Sequence, residues 1–263
     1  MNLGYDGKVA LVVGGSEGMG LASARSIGRE GATVVIIGRS EERLTTAAAS
    51  LAADGVTAQT EIADAENADS IDAGIARVLD RNGRVDVLVN AVGGWESAES
   101  ALDFTDESWH YHLDTVVLSA ARTCRAVMPG MAQRGSGSVV NIAAQSSERH
   151  WSVIAAYSAM KAAMVHLTKN LAREFGPSGV RVNAVRPGWI MSESQRRRFS
   201  SRVPRGTTDE QMYAGIAAEW PELCWANRFG TVEEIGEVVA FLASDLASYV
   251  NGALWSVDGG SPV

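Results

Sequence analysis

The stretch Lys8-Val9-Ala10-Leu11-Val12-Val13-Gly14-Gly15-Ser16-Glu17-Gly18-Met19-Gly20 carries the signal that decides the fold. Its apolar first half predicts a strand, and the helical spacing of apolar residues that follows continues to Arg29. Glycines between a strand and a helix let the backbone turn tightly and approach a pyrophosphate, whose charge the helix N-terminus stabilises. This order of elements predicts a dinucleotide-binding site.

Strand and helix patterns alternate along the rest of the chain. Strands are predicted at 8–13, 33–38, 57–62, 85–89, 138–142 and 180–185, and helices at 41–54, 67–82, about 106–133 and from 154 to the stop at Gly176-Pro177. Such alternation predicts an α/β fold, a Rossmann-type doubly wound parallel sheet that binds its ligand beyond the carboxyl ends of the strands. We expect residues 1–263 to form a single dinucleotide-binding domain.

Composition narrows the class of protein. The chain has 46% hydrophobic and 21% charged residues and a net charge of −8, which favours a soluble protein without a nucleic-acid surface. Its two cysteines and four histidines show no metal-ligand spacing; His110 and His112, for example, fall on different helix faces. With no signal peptide and no apolar run of membrane-spanning length, we expect a cytoplasmic protein without metal or membrane partner.

A pair of chemically suited side chains lies near the start of the helix that begins at about 154. Tyr157 and Lys161 are four residues apart, so both project from one helix face about one turn apart. A nearby ammonium typically lowers the pKa of an acid by ~1–3 units, which brings a phenol toward use at neutral pH. Tyr157 and Lys161 thus form a proton-transfer pair in outline. A surface tyrosine and lysine on an ordinary helix is the alternative, and the rest of the chain decides between the two.

Five motifs in order make the chain resemble the short-chain dehydrogenase/reductase family over nearly its whole length. They are the glycine turn, Asn90-Ala91-Val92-Gly93, Tyr157 with Lys161, Arg186-Pro187-Gly188, and Val257-Asp258-Gly259-Gly260. The resemblance implies that Tyr157 exchanges a proton with the substrate oxygen while hydride passes between nicotinamide and carbon. It also implies that Lys161 holds the ribose hydroxyls and lowers the pKa of the tyrosine, and that the protein is a homodimer or homotetramer.

The resemblance also implies a set of cofactor-binding positions. Besides Tyr157 and Lys161, these are Gly14, Ser16, Gly18, Met19, Gly20, Arg39, Ser40, Glu61, Ile62, Asn90, Ala91, Gly93, Pro187, Gly188, Ile190 and Ser192.

Two catalytic positions depart from the family pattern. The usual serine, thirteen residues before the tyrosine, is Ala144, and the usual helix asparagine is Val116. Ser146 or Ser147 is a candidate substitute for the serine. Loss of one preorganised donor from such a site costs on the order of 10²–10³ in rate, so a substitute matters.

Charge at the end of the second strand bears on cofactor choice. The position where NAD binders of the family carry an aspartate is Gly38, and Arg39 follows it, well placed to meet a 2′-phosphate. Glu17 in the glycine turn opposes this interpretation. We expect NADP(H), with NAD(H) as the alternative.

The substrate side is predicted from aromatic and basic residues. The resemblance implies a lid at about 189–227, and five tryptophans are expected around the cleft, which suggests a bulky, largely apolar small molecule; subunit contacts or packing would explain them equally well. These are Trp95, Trp151, Trp189, Trp220 and Trp225. With Ala144 and Ser146, the first three are the predicted substrate contacts. A basic run between Arg196 and Arg205 is either a solvated helix face or a site for a phosphate or carboxylate.

These features support an oxidoreductase that interconverts a ketone and an alcohol. An enzyme of the same fold that reduces C=N or C=C bonds, or that performs redox-neutral chemistry, is the alternative that Ala144 and Val116 favour. A non-catalytic cofactor-binding protein is a third.

Overall fold

The computed structural model describes residues 2–200, 203–219 and 224–260. Its strands form one parallel sheet in the order β3-β2-β1-β4-β5-β6-β7. Their bounds are β1 Val9–Val13, β2 Thr33–Gly38, β3 Ala58–Ile62, β4 Val87–Asn90, β5 Gly137–Ile142, β6 Val180–Pro187 and β7 Leu254–Val257. The predicted α/β fold, a Rossmann-type doubly wound parallel sheet, is confirmed.

Helices cover both faces of this sheet. Their bounds are α1 Gly18–Arg29, α2 Glu41–Ala53, α3 Ala68–Asn82, α4 Asp106–His112, α5 Ser119–Arg134, α6 Ala155–Phe175, α7 Glu193–Ser200, α8 Asp209–Glu219 and α9 Val232–Ala243. Helices α1, α2 and α9 pack their apolar residues on one face, and α3, α5 and α6 pack theirs on the other. The central strands are buried on both sides, which explains their continuous apolar sequences.

The strand order reverses between β1 and β4, and this positions the site. The chain leaves β1 at Gly14 and β4 at Ala91, and the Ala91 amide donates to the Val13 carbonyl oxygen over 2.9 Å. Ligands of open α/β sheets bind at such a switch point, outside the carboxyl ends of the strands. The predicted glycine turn and the Asn90–Gly93 motif therefore meet at one crevice.

Two parts of the fold differ from the sequence-based prediction. The long helix expected at 106–133 is divided, because Leu113–Leu118 adopts π-helical geometry between α4 and α5. Helices α7, α8 and α9 and strand β7 were not predicted from the sequence. A capping box at Thr231 and Glu234 marks the start of α9 and could have revealed it, whereas β7 is a short, partly exposed edge strand with a weak pattern.

None of the described helices is long and apolar enough to cross a membrane.

Candidate active site

The glycine turn between β1 and α1 presents bare backbone to the crevice. Gly14 and Gly18 have φ values of +82° and +58°, which glycine adopts without steric cost. A Cβ on Gly20 would lie 2.2 Å from the Gly14 carbonyl oxygen, and a Cβ on Gly14 would lie 2.8 Å from that of Ala91. Ser16 and Met19 are half-buried in the same turn. Because side chains are excluded at Gly14 and Gly20, the turn and the N-terminus of α1 fit a pyrophosphate.

Basic side chains cluster where β2 ends. Arg39 is exposed and lies 3.2 Å from the Glu66 carboxylate, while Ser40 caps α2 by accepting from the Arg43 amide. Arg43 was not predicted as a site residue; its guanidinium lies 3.7 Å from the Glu17 carboxylate. Exposed ion pairs of this kind contribute ~0–1 kcal/mol and are readily exchanged for a stronger anion. Two exposed arginines, each paired with a carboxylate, therefore lie at the end of β2.

The two predicted adenine contacts at the end of β3, Glu61 and Ile62, differ in their exposure. Ile62 is 48% exposed, so its side chain is free to lie against an adenine ring. Glu61 is buried, and its carboxylate accepts from Arg77 and Arg81 on α3 over 2.7 and 3.1 Å. Because these pairs hold Glu61 toward α3, Ile62 is the better supported adenine contact of the two.

Asn90 supports the crevice from behind. Its amide donates to Asn141 Oδ1 over 2.9 Å and accepts from Thr123 Oγ1 over 2.7 Å, and Asn141 in turn donates to Thr168 Oγ1. These buried side chains join β4 and β5 to α5 and α6. The Asn90 side chain is therefore occupied, and contact with a cofactor would fall to the backbone that leads to Ala91 and Gly93.

Lys161 reaches the same loop from α6. It is 2% exposed, its Nζ donates to the Ile142 carbonyl oxygen over 2.6 Å, and a Cβ on Gly93 would lie 3.4 Å from that Nζ. The ammonium lies 5.6 Å from the centroid of the Tyr157 ring. The i, i+4 spacing thus brings the two side chains together as predicted.

The predicted direction of the Tyr157 pKa is wrong in this structure. Burial raises the pKa of the Tyr157 phenol above its ordinary value, and burial lowers the pKa of the Lys161 ammonium to about 7. Desolvation disfavours the charged form of each group. Lys161 directs its charge at the Ile142 carbonyl, so its attraction does not offset the burial of the phenol.

The stretch after β5 offers a hydroxyl close to Ala144. A 3₁₀ turn spans Gln145–Ser147, and Ala144 precedes it with extended backbone. The Ser146 and Ser147 hydroxyls are buried without a hydrogen-bond partner among the described residues, and Ser146 is only 6% exposed. A buried, unpaired hydroxyl is costly unless a ligand or water pairs with it.

Three predicted substrate contacts lie on the lid side of the crevice. The rings of Trp151 and Trp189 pack with centroids 5.0 Å apart. The Arg198 guanidinium stacks on Trp95, 3.6 Å from the ring centroid, and joins α7 to the loop after β4. Trp225 is 75% exposed and its ring lies beside Gly260; its place in the cleft stays a prediction. Trp220 and Arg202 lie outside the described residues.

The start of the lid also meets the glycine turn. Gly188 donates its amide to the Val257 carbonyl oxygen over 3.1 Å, directly after Pro187, and Ile190 pairs with Gly230. A Cβ on Gly18 would lie 3.8 Å from the Ser192 Cβ. Arg197 on α7 lies 3.0 Å from the Glu17 carboxylate. The predicted cofactor positions after β6 and in the turn therefore face one another.

Sequence reasoning missed His112 at this site. Its imidazole is fully buried and packs against Tyr157 with ring centroids 5.9 Å apart. Val116, one turn further on, packs with Ala120 and Met164 and against Tyr157 in an apolar cluster. Nothing in the local pattern distinguished His112 from His110, which is exposed; the packing of α4 on α6 does.

No group of three or more His, Cys, Asp or Glu in the described part of the chain is arranged to hold a metal ion.

Comparisons with known proteins agree with this geometry. A family model described as Enoyl-(Acyl carrier protein) reductase matches residues 13–261. A ketoacyl reductase ascribed to the monensin polyketide synthase of Streptomyces virginiae is 35% identical over 256 residues, with 96% of each chain covered. Gluconate 5-dehydrogenase of Gluconobacter oxydans is 34% identical over 257 residues, covering 98% of this chain and 95% of the relative.

A solved structure is similar over the same length. L-Sorbose reductase from Gluconobacter frateurii, in complex with NADPH and L-sorbose, superposes with a TM-score of 0.92 at 31% identity, covering 99% of this chain and 98% of that one.

The fold, the glycine cradle and these relatives define an NAD(P)-dependent oxidoreductase. The chain belongs to the short-chain dehydrogenase/reductase family, which confirms the resemblance.

Proposed function

We propose that this protein is an NADP(H)-dependent oxidoreductase that interconverts a ketone and an alcohol on a bulky, largely apolar small molecule. The observation that carries the proposal is the Tyr157–Lys161 pair, held on α6 at the carboxyl edge of the sheet beside Gly93 and Ile142. The bound dinucleotide supplies the hydride chemistry. The chain supplies a positioned acid/base and an oriented pocket.

Each side chain has a role in this proposal. Tyr157 gives its proton to the substrate oxygen as the ketone is reduced and takes it back in the reverse direction. Lys161 orients the ribose from its position beside Gly93 and Tyr157. Ser146 or Ser147 replaces the missing serine as hydrogen-bond donor to the reacting oxygen, because both hydroxyls are buried and unpaired shortly after Ala144. The substrate is bordered by the side chains of Trp95, Trp151 and Trp189.

The preference for NADP(H) is supported by charge. Arg39 and Arg43 flank the end of β2, and the opposing Glu17 lies beside Arg43 and Arg197. The NADPH complex of the L-sorbose reductase relative is consistent with this assignment. NAD(H) stays the alternative.

A second candidate is the reduction of a C=C or C=N bond, or redox-neutral chemistry. Ala144 and Val116 favour it, because both remove polar groups that a carbonyl reductase uses, and the description of the matching family model names an enoyl reductase.

We further propose one domain with its lid at about 189–227, in a cytoplasmic homodimer or homotetramer. The two free, buried cysteines are consistent with a reducing compartment.

The test is NADPH oxidation, with NADH as control, against cyclic ketones, acyl-thioester ketones, enoyl thioesters and imines. Tyr157→Phe should lose on the order of 10²–10⁴ of the ketone rate, and either Ser146→Ala or Ser147→Ala on the order of 10²–10³. Tyr249→Phe, which removes the hydroxyl of a fully exposed tyrosine, should match wild type. A fluorescence titration with NADPH checks that each variant binds cofactor.

Other outcomes select other functions. Reduction of an enoyl thioester or imine that both serine variants leave unchanged supports the second candidate. Tight NADPH binding without turnover of any compound leads to a non-catalytic role, and full ketone activity in Tyr157→Phe contradicts the proposal.

A further inference from the structure

His112 is a buried ionisable side chain that the proposed mechanism does not use. Its exposed fraction is 0%, and both ring nitrogens are without a hydrogen-bond partner among the described residues. A buried polar atom without a partner costs ~1–3 kcal/mol, so a functional reason is expected for it. The ring lies edge to face against Tyr157, with an interplanar angle of 68°.

Glu96 faces the same imidazole from the loop after β4. Its Oε2 lies 3.9 Å from His112 Nε2, and its side chain is 52% exposed. Ser108, one turn before His112 on α4, donates its hydroxyl to that Oε2 over 3.1 Å. Because residues i and i+4 share a helix face, Ser108 and His112 both face the Glu96 carboxylate. The partly exposed carboxylate thus lies near the buried ring, just beyond hydrogen-bond distance of its Nε2 atom.

The surroundings lack the polar groups that the family places near the tyrosine. Val116 and Ala144 occupy the positions of its asparagine and serine, and Val116 is buried among apolar side chains. The π-helical segment Leu113–Leu118 follows His112 directly, and such segments are frequent at functional sites. His112 is therefore an ionisable group that packs directly on the Tyr157 ring at this side of the site.

We propose that His112 is a relay residue that carries a proton, through one water, between the Tyr157 hydroxyl and the solvent-exposed carboxylate of Glu96. This inference rests on the proposed role of Tyr157. When the ketone is reduced, its carbon–oxygen π bond breaks, the carbon gains the hydride and the oxygen takes the Tyr157 proton. The tyrosinate regains a proton from one imidazole nitrogen, and the other nitrogen takes one from solvent by way of Glu96.

The imidazole has the properties that a relay needs. Burial lowers the pKa of His112, with Glu96 opposing the shift, so the ring is neutral at physiological pH. A neutral imidazole has one donor and one acceptor nitrogen and exchanges these roles when a proton passes. Ionisable groups near it include Glu96 and Tyr157, with Tyr111 adjacent on its own helix, and Lys161 on α6 lies 5.6 Å from the Tyr157 ring.

The experiment compares His112→Ala, His112→Gln and Glu96→Gln with wild type on a ketone that the wild type reduces. Both His112 variants should lower kcat about ten-fold or more and leave the NADPH affinity unchanged. This loss is smaller than the factor of 10²–10⁴ that a direct general acid or base typically contributes. Added imidazole should restore kcat in His112→Ala, where the cavity admits it, but not in His112→Gln. His110→Ala, an exposed neighbour, should match wild type.

The outcomes separate this inference from the proposed function. If Tyr157→Phe is inactive while both His112 variants keep kcat within two-fold of wild type, the relay is wrong and the acid/base role of Tyr157 stands. If Tyr157→Phe is active, the proposed function itself fails and the relay fails with it.

A spectroscopic arm needs neither turnover nor a folded His112 variant. The four histidines allow the His112 imidazole ¹⁵N signals to be assigned by substituting the other three. These signals should move in both Glu96→Gln and Tyr157→Phe. Signals that move in neither variant would show that His112 is not coupled to these groups and would overturn the relay.

Discussion

At the scale of single residues, Lys161 shows how burial controls a charge. The side chain is enclosed at the base of the crevice, and burial lowers the pKa of its ammonium to about 7. In the unfolded chain the same group has its ordinary pKa of about 10.4. The unfolded state therefore binds more protons than the folded state between these values, and the free energy of unfolding rises with pH across that window.

Lys161→Met should remove this pH dependence from the cofactor-free protein. Between about pH 7 and 10, wild type should gain up to about 1.4 kcal/mol of stability per pH unit relative to the variant, because only wild type sheds a buried charge. Urea denaturation of both proteins at pH 7, 8 and 9 measures the difference. Parallel pH profiles would show that Lys161 is charged in the folded protein throughout.

At the scale of elements, the junction of α4, the π-helical segment and α5 determines what surrounds Tyr157. Val116 is fully buried there, with Ala120 on α5 and Met164 on α6. The asparagine of the family pattern would place an amide among these apolar side chains. An apolar contact between helices has replaced a polar one, while His112 enters from the preceding turn.

Val116→Asn should therefore destabilise the protein without improving catalysis. The buried amide without partners should lower the free energy of unfolding by ~1–3 kcal/mol, measured by urea denaturation beside kcat for a ketone. Val116→Ala, which removes volume but adds no polar group, is the matched control. A Val116→Asn protein as stable as wild type and faster on ketones would mean that the family's arrangement is still accessible here.

At the scale of the whole molecule, a dinucleotide would join parts of the chain that lie far apart in sequence. The glycine turn after β1, the arginines after β2, the loop after β4 and Lys161 on α6 all border the switch point between β1 and β4. A ligand that binds only the folded state stabilises it by an amount set by its concentration and affinity. Thermal stability consequently reports cofactor choice.

NADPH at about 100 times its Kd should stabilise the protein by ~2.7 kcal/mol, which corresponds to a Tm increase of roughly 5–10 °C for a chain of this size. NADH at the same concentration should give a smaller increase. Arg39→Ala should narrow the gap, whereas Arg173→Ala, an exposed arginine at the end of α6, should not. Differential scanning calorimetry measures this. Equal increases with both cofactors, unaffected by Arg39→Ala, would contradict the preference for NADP(H), and a larger increase with NADH would favour NAD(H).

Several site residues could be predicted because their geometry is local. The spacing of Gly14, Gly18 and Gly20 requires a tight turn into a helix, and positions 157 and 161 share a helix face in any α-helix. Alternating strand and helix patterns likewise predict a parallel sheet that binds its ligand beyond the carboxyl ends of the strands. These features need only the periodicities of backbone structure.

The remaining features arise from contacts between distant elements. Arg43 beside Glu17, Trp151 on Trp189, the arginines that hold Glu61 and the exposure of Trp225 all depend on how helices and loops pack on the sheet. His112 differs from His110 only because α4 packs on α6. The sequence by itself determined the dinucleotide-binding fold and the Tyr157–Lys161 pair, since both follow from short-range backbone geometry. Only the tertiary structure decided which ionisable groups are buried beside that pair, because burial depends on packing between elements distant in sequence.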